Sequence, residues 1–475
     1  MSVLEVLLLA AAALLIGLIP RPHIRTHLLL TASIFVVYWL EPRSIEIYSI
    51  TFWLPTATII LVALSWVITA SSETRTLQKN WPGILAILVT LLAIDLTRYF
   101  GQANPIFPDT AIPGPLNVLL VIALAFLIAF LATRAQFLQR ISLTLALFAI
   151  LGLFFIIKLP ALDKILYQAI SELSGNPQKA GDTFAWLGFS YFAFRIIHTL
   201  RDRQKGLLPS VTLTEYTTYV LFFPAFVAGP IDRIERFVKD LRTPLPLADE
   251  DWLFAGRRFL IGLFKKFVVA DALAAFALNP KLLPQIHSTG WFWVLLYAYS
   301  FQIYFDFSGY TDIALGIARL SGIRLPENFN APYLKPNLTL FWNNWHMTLT
   351  QWFRAYFFNP AQRWLRTSHN QLPAWLTILG LQVATMTLIG LWHGILPNFV
   401  LWGVWHGVGL FLHNRWREHA APRISAWAAS PLRKNILNIA GILLTFHYVA
   451  VGWLFFILPV EQIPTAIRLL LGLQA

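Results

Sequence analysis

Long apolar runs separated by short polar loops dominate this chain. A helix rises about 1.5 Å per residue, so a run of about 20 apolar residues crosses the roughly 30 Å hydrocarbon core of a bilayer. The pattern predicts an all-α polytopic membrane protein with about 11 to 13 membrane segments, some of them re-entrant or interfacial. The candidate segments are 3–20, 26–40, 49–70, 81–98, 114–133, 142–159, 184–200, 214–230, 253–275, 290–318, 373–392, 397–413 and 437–458.

Composition supports the membrane setting. Hydrophobic residues make up 57% of the chain and charged residues 12%, whereas a typical soluble domain carries roughly 25% charged residues. The first 20 residues contain no Lys or Arg. They therefore lack the basic start of a secretory signal and are predicted to form the first membrane helix.

The distribution of basic residues indicates a lipid partner and predicts the orientation of the chain in the membrane. The formal net charge of +13 is spread over short loops without a Lys/Arg tract, which indicates anionic lipid headgroups and no nucleic acid. Basic loops beginning with Arg21 and Arg25 place the amino terminus outside. The alternation breaks after 214–230, which contains Pro224 and Gly229. We therefore interpret that stretch as re-entrant.

Polar residues enter the apolar runs from about residue 184 onward. Ionisable groups in a membrane are costly, so we expect the chemistry in this half of the chain. Two histidines stand out, His346 in Trp-Asn-Asn-Trp-His-Met and His393 in Gly-Leu-Trp-His-Gly. The other polar residues of this half are Arg195, His198, Asp306, Ser308, Asp312, Asn328, Asn330, Asn343, Asn344, Arg354, His406 and His447.

Residues 341–358 are predicted to form one interfacial helix. An aromatic face recurs at helical spacing, as in helices anchored at the membrane surface. Its members are Trp342, Trp345, Leu349, Trp352 and Phe353. Asn343 and Asn344 flank His346 and are predicted to fix the tautomer of its imidazole.

The remaining polar groups leave alternatives open. His393 and His406 each precede a glycine, which leaves room for another backbone or a ligand to approach, although each histidine read alone is a hydrogen-bonded helix contact. Asp306 and Asp312 fit a structural network better than chemistry. The chain has no cysteine, and no pair of histidines one turn apart with a carboxylate is present, so we predict no metal site.

In this order, the motifs resemble the membrane-bound O-acyltransferase (MBOAT) family, in the bacterial branch of teichoic-acid D-alanyl transferases and alginate O-acetylases. The resemblance rests on the two histidine motifs and on three further stretches, Gly-Pro-Ile-Asp-Arg at 229–233, Phe-Asp-Phe-Ser-Gly-Tyr at 305–310 and Pro-Glu-Asn-Phe-Asn at 326–330. The Arg-Asp-Tyr common in the family is Arg354-Ala355-Tyr356 here. That difference weakens any role for the missing acid.

The resemblance implies an enzyme in the bacterial plasma membrane. It implies an MBOAT-like fold that encloses a tunnel, in which an acetyl or D-alanyl group moves from a cytoplasmic thioester to a hydroxyl of an extracytoplasmic glycopolymer or lipid-linked acceptor. The donor is a phosphopantetheine-linked carrier protein or an acyl-CoA, with no permanently bound cofactor. We predict a single membrane domain over 1–475, with scaffold helices in 1–160, the catalytic core in 184–416 and C-terminal helices in 437–475.

The same reasoning assigns roles to residues. His393 is predicted to be the general base, and His346 to polarise the thioester carbonyl or to orient the acceptor. The residues predicted to bind substrate are Asn343, Asn344, Asp306, Arg233, Arg236 and Trp392. A transporter or flippase and a non-catalytic scaffold for polysaccharide export are the alternatives, because buried polar groups also mark translocation sites.

Overall fold

Helices form all the regular secondary structure in the described part of the chain, which confirms the predicted all-α polytopic membrane class. This computed structural model describes residues 1–41, 49–103, 107, 112–134, 139–173, 186–242, 248–368, 372–427 and 429–473. Among them, four helices are long and apolar enough to cross a membrane, and one bent helix pair makes a fifth if it counts as a single span. The total of 11 to 13 segments stays a prediction.

The chain divides into two compact units. Unit 1 comprises Met1–Phe259 and Ile313–Pro326, and unit 2 comprises Leu260–Asp312 and Glu327–Ala475. The predicted catalytic core, 184–416, is therefore divided between both units. The predicted single domain and its tunnel stay predictions.

In unit 1, α2 packs on α4 and α9, and α3 packs on α5, α8 and α9. Two of the helices begin with reciprocal capping boxes, formed by Ser2 with Glu5 and by Thr212 with Glu215. The helices are α1 Val3–Gly17, α2 Pro22–Trp39, α3 Ile50–Thr69, α4 Leu77–Leu96, α5 Pro115–Arg134, α6 Gln139–Lys158, α7 Pro160–Leu173, α8 Phe189–Gln204, α9 Leu213–Leu221, α10 Ile234–Arg242 and α11 Asp249–Phe264, whose last residues belong to unit 2.

The stretch 214–230, interpreted as re-entrant, does not form one continuous helix. Helix α9 has nine residues and is roughly 13 Å long, too short to cross a bilayer. The chain then makes a 3₁₀ turn at Phe223–Ala225. The buried Arg195 of α8 donates to the main-chain carbonyls of Tyr219, Val220 and Ala225 at 3.1, 2.8 and 3.0 Å, which satisfies oxygens that the helix end leaves unpaired. The path of this stretch through a membrane stays a prediction.

A further helix, α7, lies between the candidate segments 142–159 and 184–200. Helix α7 begins at Pro160, directly after a bend of 91° at the end of α6. Proline is accepted in the first turn of a helix, where an N–H has no intrahelical partner. Residues 174–182 lie outside the described residues.

In unit 2, α17 packs along α18, and α18 packs on α19. Two π-helical turns interrupt the pattern, at Lys265–Ala270 and Arg354–Phe358. The helices are α12 Asp271–Ala274, α13 Thr289–Leu320, whose last residues belong to unit 1, α14 Leu338–Asn344, α15 Met347–Phe353, α16 Asn359–Thr367, α17 Ala374–His393, α18 Pro397–Trp427, α19 Pro431–Ile457 and α20 Ile463–Leu471.

Candidate active site

His346 lies at a break between two short helices of unit 2. The prediction of one continuous helix over 341–358 is wrong, because α14 ends at Asn344 and α15 begins at Met347. His346 has φ 41° and ψ 54°, in the left-handed region. This conformation costs a residue with a Cβ roughly 1–2 kcal/mol. Contacts around the ring must therefore hold the backbone in place.

The aromatic face predicted to lie at the membrane surface is largely buried within unit 2. Trp342 and Trp345 are each 4% exposed. The ring of Trp342 lies 5.5 Å from that of Trp402, and the ring of Trp345 lies 5.1 Å from that of Trp453. The indoles therefore form part of a packed core, and the expected interfacial anchoring of this segment is wrong for both tryptophans.

Asn328 fixes the imidazole of His346. Its side-chain Oδ1 accepts hydrogen bonds from the main-chain N–H of Thr348 at 3.2 Å and from the Thr348 hydroxyl at 2.8 Å. A main-chain N–H only donates, so the amide atom that it contacts is the oxygen. Nδ1 of His346 lies 3.1 Å from the same oxygen and must carry a proton. Nε2 of the neutral ring then presents its lone pair.

Asn343 and Asn344, the predicted partners of His346, form hydrogen bonds with other residues. Asn343 accepts a hydrogen bond from Arg354 at 2.6 Å, and Asn344 donates to the carbonyl of Leu340 at 2.7 Å. The expectation that these two amides set the tautomer is wrong, because Asn328 does so. A role for either in binding substrate stays a prediction.

Nε2 of His346 has no hydrogen-bond partner among the described residues and is shielded from solvent. Its ring meets Phe307 edge-on, with centroids 4.7 Å apart. A polar atom held in apolar surroundings is costly to leave unpaired, by roughly 1–3 kcal/mol. A bound group can donate a hydrogen bond to this nitrogen only if neighbouring side chains move, because solvent does not reach it in this structure.

Trp392 joins the two predicted histidines. The centroid of its indole lies 6.0 Å from that of His346 and 4.5 Å from that of His393. His393 is the last residue of α17 and is half-buried, against Phe456 at 4.8 Å. The structure therefore brings together the imidazoles that the sequence singled out.

Glycine shapes the turn that carries His393. A Cβ at Gly390 would lie 2.2 Å from the carbonyl oxygen of Phe399, the third residue of α18. Of the two neighbours predicted for the glycines of these motifs, another backbone or a ligand, it is another backbone that lies against Gly390. Close packing of α17 against α18 positions the His393 ring.

His406 is fully buried in the same unit, with rings of Trp402 and Trp342 at 4.9 and 5.0 Å. The prediction that it forms a hydrogen-bonded helix contact is wrong for the described residues, where neither ring nitrogen has a partner.

The carboxylates of α13 pair with two consecutive lysines of unit 2. Asp306 lies 2.5 Å from Nζ of Lys266, and Asp312 lies 2.7 Å from Nζ of Lys265. A Cβ at Gly309 would lie 2.8 Å from the main-chain nitrogen of Lys266, so this glycine permits the approach. The structural network expected for both aspartates is confirmed, and substrate binding by Asp306 stays a prediction.

The arginines predicted to bind substrate, Arg233 and Arg236, lie in unit 1. Arg236 pairs with the buried Asp232, and Arg242 pairs with Glu215 at 2.7 Å. Arg233 and Lys239 are exposed and form no ion pair among the described residues. Arg233 and Lys239 are therefore available to form ion pairs with an acidic ligand.

Sequence reasoning missed Asn328 and Phe307 as neighbours of His346. Asn328 lies 18 positions before the histidine in an irregular stretch, so no helical or strand spacing links the two residues. The available signal was that both residues lie in stretches that carry the family resemblance, 305–310 and 326–330.

These observations define a class of protein. It is a helical membrane protein in which two imidazole rings lie against the same buried indole. Residues 142–451 match the membrane-bound O-acyltransferase family, MBOAT. The match covers well over half of the chain. The protein belongs to this family.

Several bacterial proteins are similar to the chain. A protein described as a probable alginate O-acetylase from Pseudomonas aeruginosa is 34% identical over 271 residues, which cover 57% of this chain and 48% of the relative. A teichoic acid D-alanyltransferase from Bacillus subtilis is 33% identical over 282 residues, covering 57% and 68%. A peptidoglycan O-acetyltransferase from Helicobacter pylori is 31% identical over 278 residues, covering 54% and 46%. The chain thus spans about half the length of the two acetyl-transferring relatives.

Proposed function

We propose that this protein transfers an acyl group, acetyl or D-alanyl, from a cytoplasmic thioester to a hydroxyl of an extracytoplasmic glycopolymer or lipid-linked acceptor. Membership of the MBOAT family and the names of the similar proteins support the reaction class. The single observation that carries the proposal is the pair of imidazoles on Trp392, one of them fixed with a lone pair at Nε2.

The chemistry needs a proton acceptor and precise placement. A thioester is already activated, so the enzyme must remove the proton of the attacking hydroxyl and hold both reactants together. The C–S bond breaks as the new C–O bond forms, and the proton ends on the departing thiol. No covalent intermediate on the protein is required.

The two histidines are given separate tasks. A neutral His346 cannot polarise the thioester carbonyl through Nε2, because that nitrogen carries no proton. Of the two roles predicted for His346, its contacts favour orienting the acceptor, by accepting a hydrogen bond from one of the several hydroxyls of a sugar or polyol. His393 then takes the proton of the reacting hydroxyl.

The test measures acyl transfer by purified protein in lipid nanodiscs, from a labelled thioester to an acceptor. We expect His393→Ala to lower kcat by about 10²–10⁴-fold, the usual value of general-base assistance. His346→Ala is expected to raise the acceptor KM as well. His419→Ala, an exposed histidine of α18, is the matched control. Normal turnover of folded His393→Ala refutes the proposed base, and substrate export without transfer supports a flippase.

The donor is proposed to be an acidic thioester carrier, either a phosphopantetheine-bearing protein or coenzyme A. The exposed and unpaired Arg233 and Lys239 support this choice, because charge complementarity speeds encounter. The double variant Arg233→Glu, Lys239→Glu is expected to raise the donor KM at least tenfold and to reduce its dependence on salt, with the acceptor KM unchanged. An unchanged donor KM contradicts the assignment. Running the assay with carrier protein and with coenzyme A distinguishes the two donors.

The location that fits this reaction is the bacterial plasma membrane, with the amino terminus outside. The basic loops support this direction. A reporter fused to the amino terminus tests it, and a cytoplasmic signal contradicts the orientation.

A further inference from the structure

Three side chains of the types that bind metals converge in unit 1. His198 and Asp202 lie one turn apart on α8, and Glu235 lies in the first turn of α10. Nε2 of His198 is 2.9 Å from Oδ2 of Asp202. One ligand atom from each residue lies within 4.8 Å of the other two.

Two members of the group are shielded from water, because His198 is 1% exposed and Asp202 is 4% exposed. The third, Glu235, is partly exposed as a residue. Oε2 of Glu235 has no solvent contact and accepts no hydrogen bond from any residue that the structure describes. A carboxylate oxygen removed from water needs a cation or a donor. The orphaned oxygen and the convergence of ligands are two separate indications of a bound cation.

The adjacent arginine of α10 is engaged elsewhere. Arg236 directs its guanidinium to Oδ1 of Asp232. Two carboxylates, Asp202 and Glu235, approach the same imidazole. A divalent cation would supply the missing partner for Oε2 of Glu235.

We propose that His198, Asp202 and Glu235 bind one Zn²⁺ ion. One imidazole nitrogen and two carboxylate oxygens are a ligand set that zinc accepts, at roughly 2.0–2.2 Å from each atom. Ligand atoms around a tetrahedral ion at these distances are about 3.3–3.6 Å apart, so rotation of the side chains within the present group would complete the site. Three protein ligands leave a fourth position for water.

The metal would link α8 to α10. The residues between α9 and α10 include Asp232, whose main-chain carbonyl accepts a hydrogen bond from the Tyr219 hydroxyl at 2.8 Å. Fixing the first turn of α10 would hold this stretch in place. The proposal is independent of the transferase reaction, and its test needs no turnover.

The test uses untagged, full-length protein in detergent, stripped with a chelator and titrated calorimetrically with Zn²⁺ and, separately, with Mg²⁺. We expect one Zn²⁺ per chain, with affinity lowered at least 100-fold by Glu235→Gln and by His198→Ala. His419→Ala is the control and should bind as wild type. Zinc should also raise the melting temperature of the wild type and leave that of Glu235→Gln unchanged.

Glu235→Gln is nearly isosteric, so the test stands even where His198→Ala fails to fold. Absence of stoichiometric zinc binding by the wild type overturns the site. Binding that survives Glu235→Gln unchanged overturns it as well, because the ion then lies elsewhere. Mg²⁺ binding without Zn²⁺ binding overturns the assignment of the metal.

Discussion

Asn328→Ala is the substitution that most directly tests how the candidate site is held. Asn328 is fully buried, and its Oδ1 accepts from three donors, which are Nδ1 of His346 and the N–H and hydroxyl of Thr348. Alanine leaves all three donors without this acceptor. Each buried group left unpaired costs about 1–3 kcal/mol, so we expect the free energy of unfolding to fall by at least about 3 kcal/mol.

The catalytic effect is separate from the loss of stability. The bond from Nδ1 to Asn328 selects the tautomer with a lone pair at Nε2, and a bond of this kind is worth about 1–1.5 kcal/mol. Loss of this hydrogen bond is expected to lower turnover per folded molecule by about tenfold. Thr348→Val is the matched control, because it removes one hydroxyl, costs about 1 kcal/mol of stability and keeps the contact between His346 and Asn328.

Two measurements distinguish the effects. Denaturation in detergent reports the free energy of unfolding, and ¹⁵N chemical shifts of the His346 ring report which nitrogen carries the proton. We expect Asn328→Ala to change the shifts and kcat together, and Thr348→Val to change neither appreciably. The reasoning is refuted if folded Asn328→Ala retains the wild-type shifts and turnover.

Three further predictions concern stability, each measured by denaturation of protein in detergent. His346→Gly should be more stable than His346→Ala by about 1 kcal/mol, because glycine accepts the left-handed backbone at this position without strain; equal stability would show that the φ of 41° costs nothing. Gly309→Ala should lower the free energy of unfolding by about 1–3 kcal/mol, since its Cβ would lie 2.8 Å from the main-chain nitrogen of Lys266. The control Gly256→Ala has open space around its Cβ and should be neutral or slightly stabilising. A larger loss for Gly256→Ala than for Gly309→Ala would contradict the close approach. Asp312→Asn should lower the free energy of unfolding by about 2 kcal/mol, and Asp306→Asn should lower it by less than about 1 kcal/mol. The reason is that the Asp312 side chain is 4% exposed and the Asp306 side chain is 50% exposed. Equal losses would show that burial does not make the two ion pairs differ in stability.

The sequence was least informative where helices break. The apolar spacing of 341–358 fits one helix, yet the chain changes direction at His346. The spacing of apolar residues indicates which face of a helix is buried. It does not predict that tertiary contacts hold one residue in the left-handed region. The same limit applies at Pro160, where a proline marks the start of α7 after the bend.

The prediction of no metal site considered paired histidines and cysteines, whereas the group proposed to bind zinc in unit 1 combines a histidine and an aspartate one turn apart with a glutamate 33 positions further along the chain. The pair on α8 was visible as helical spacing. The third ligand was not, because its approach depends on how α10 returns toward α8.

The sequence alone determined the membrane class, the all-helical fold, the family and the two histidines. These follow from local properties, namely the length of apolar runs, the composition, and short motifs that are read in order. Tertiary structure decided which amide holds His346, which aromatic rings are buried, and which charges on α10 are already paired. Those features depend on contacts between residues far apart in the chain, and hydrophobic periodicity does not specify such contacts.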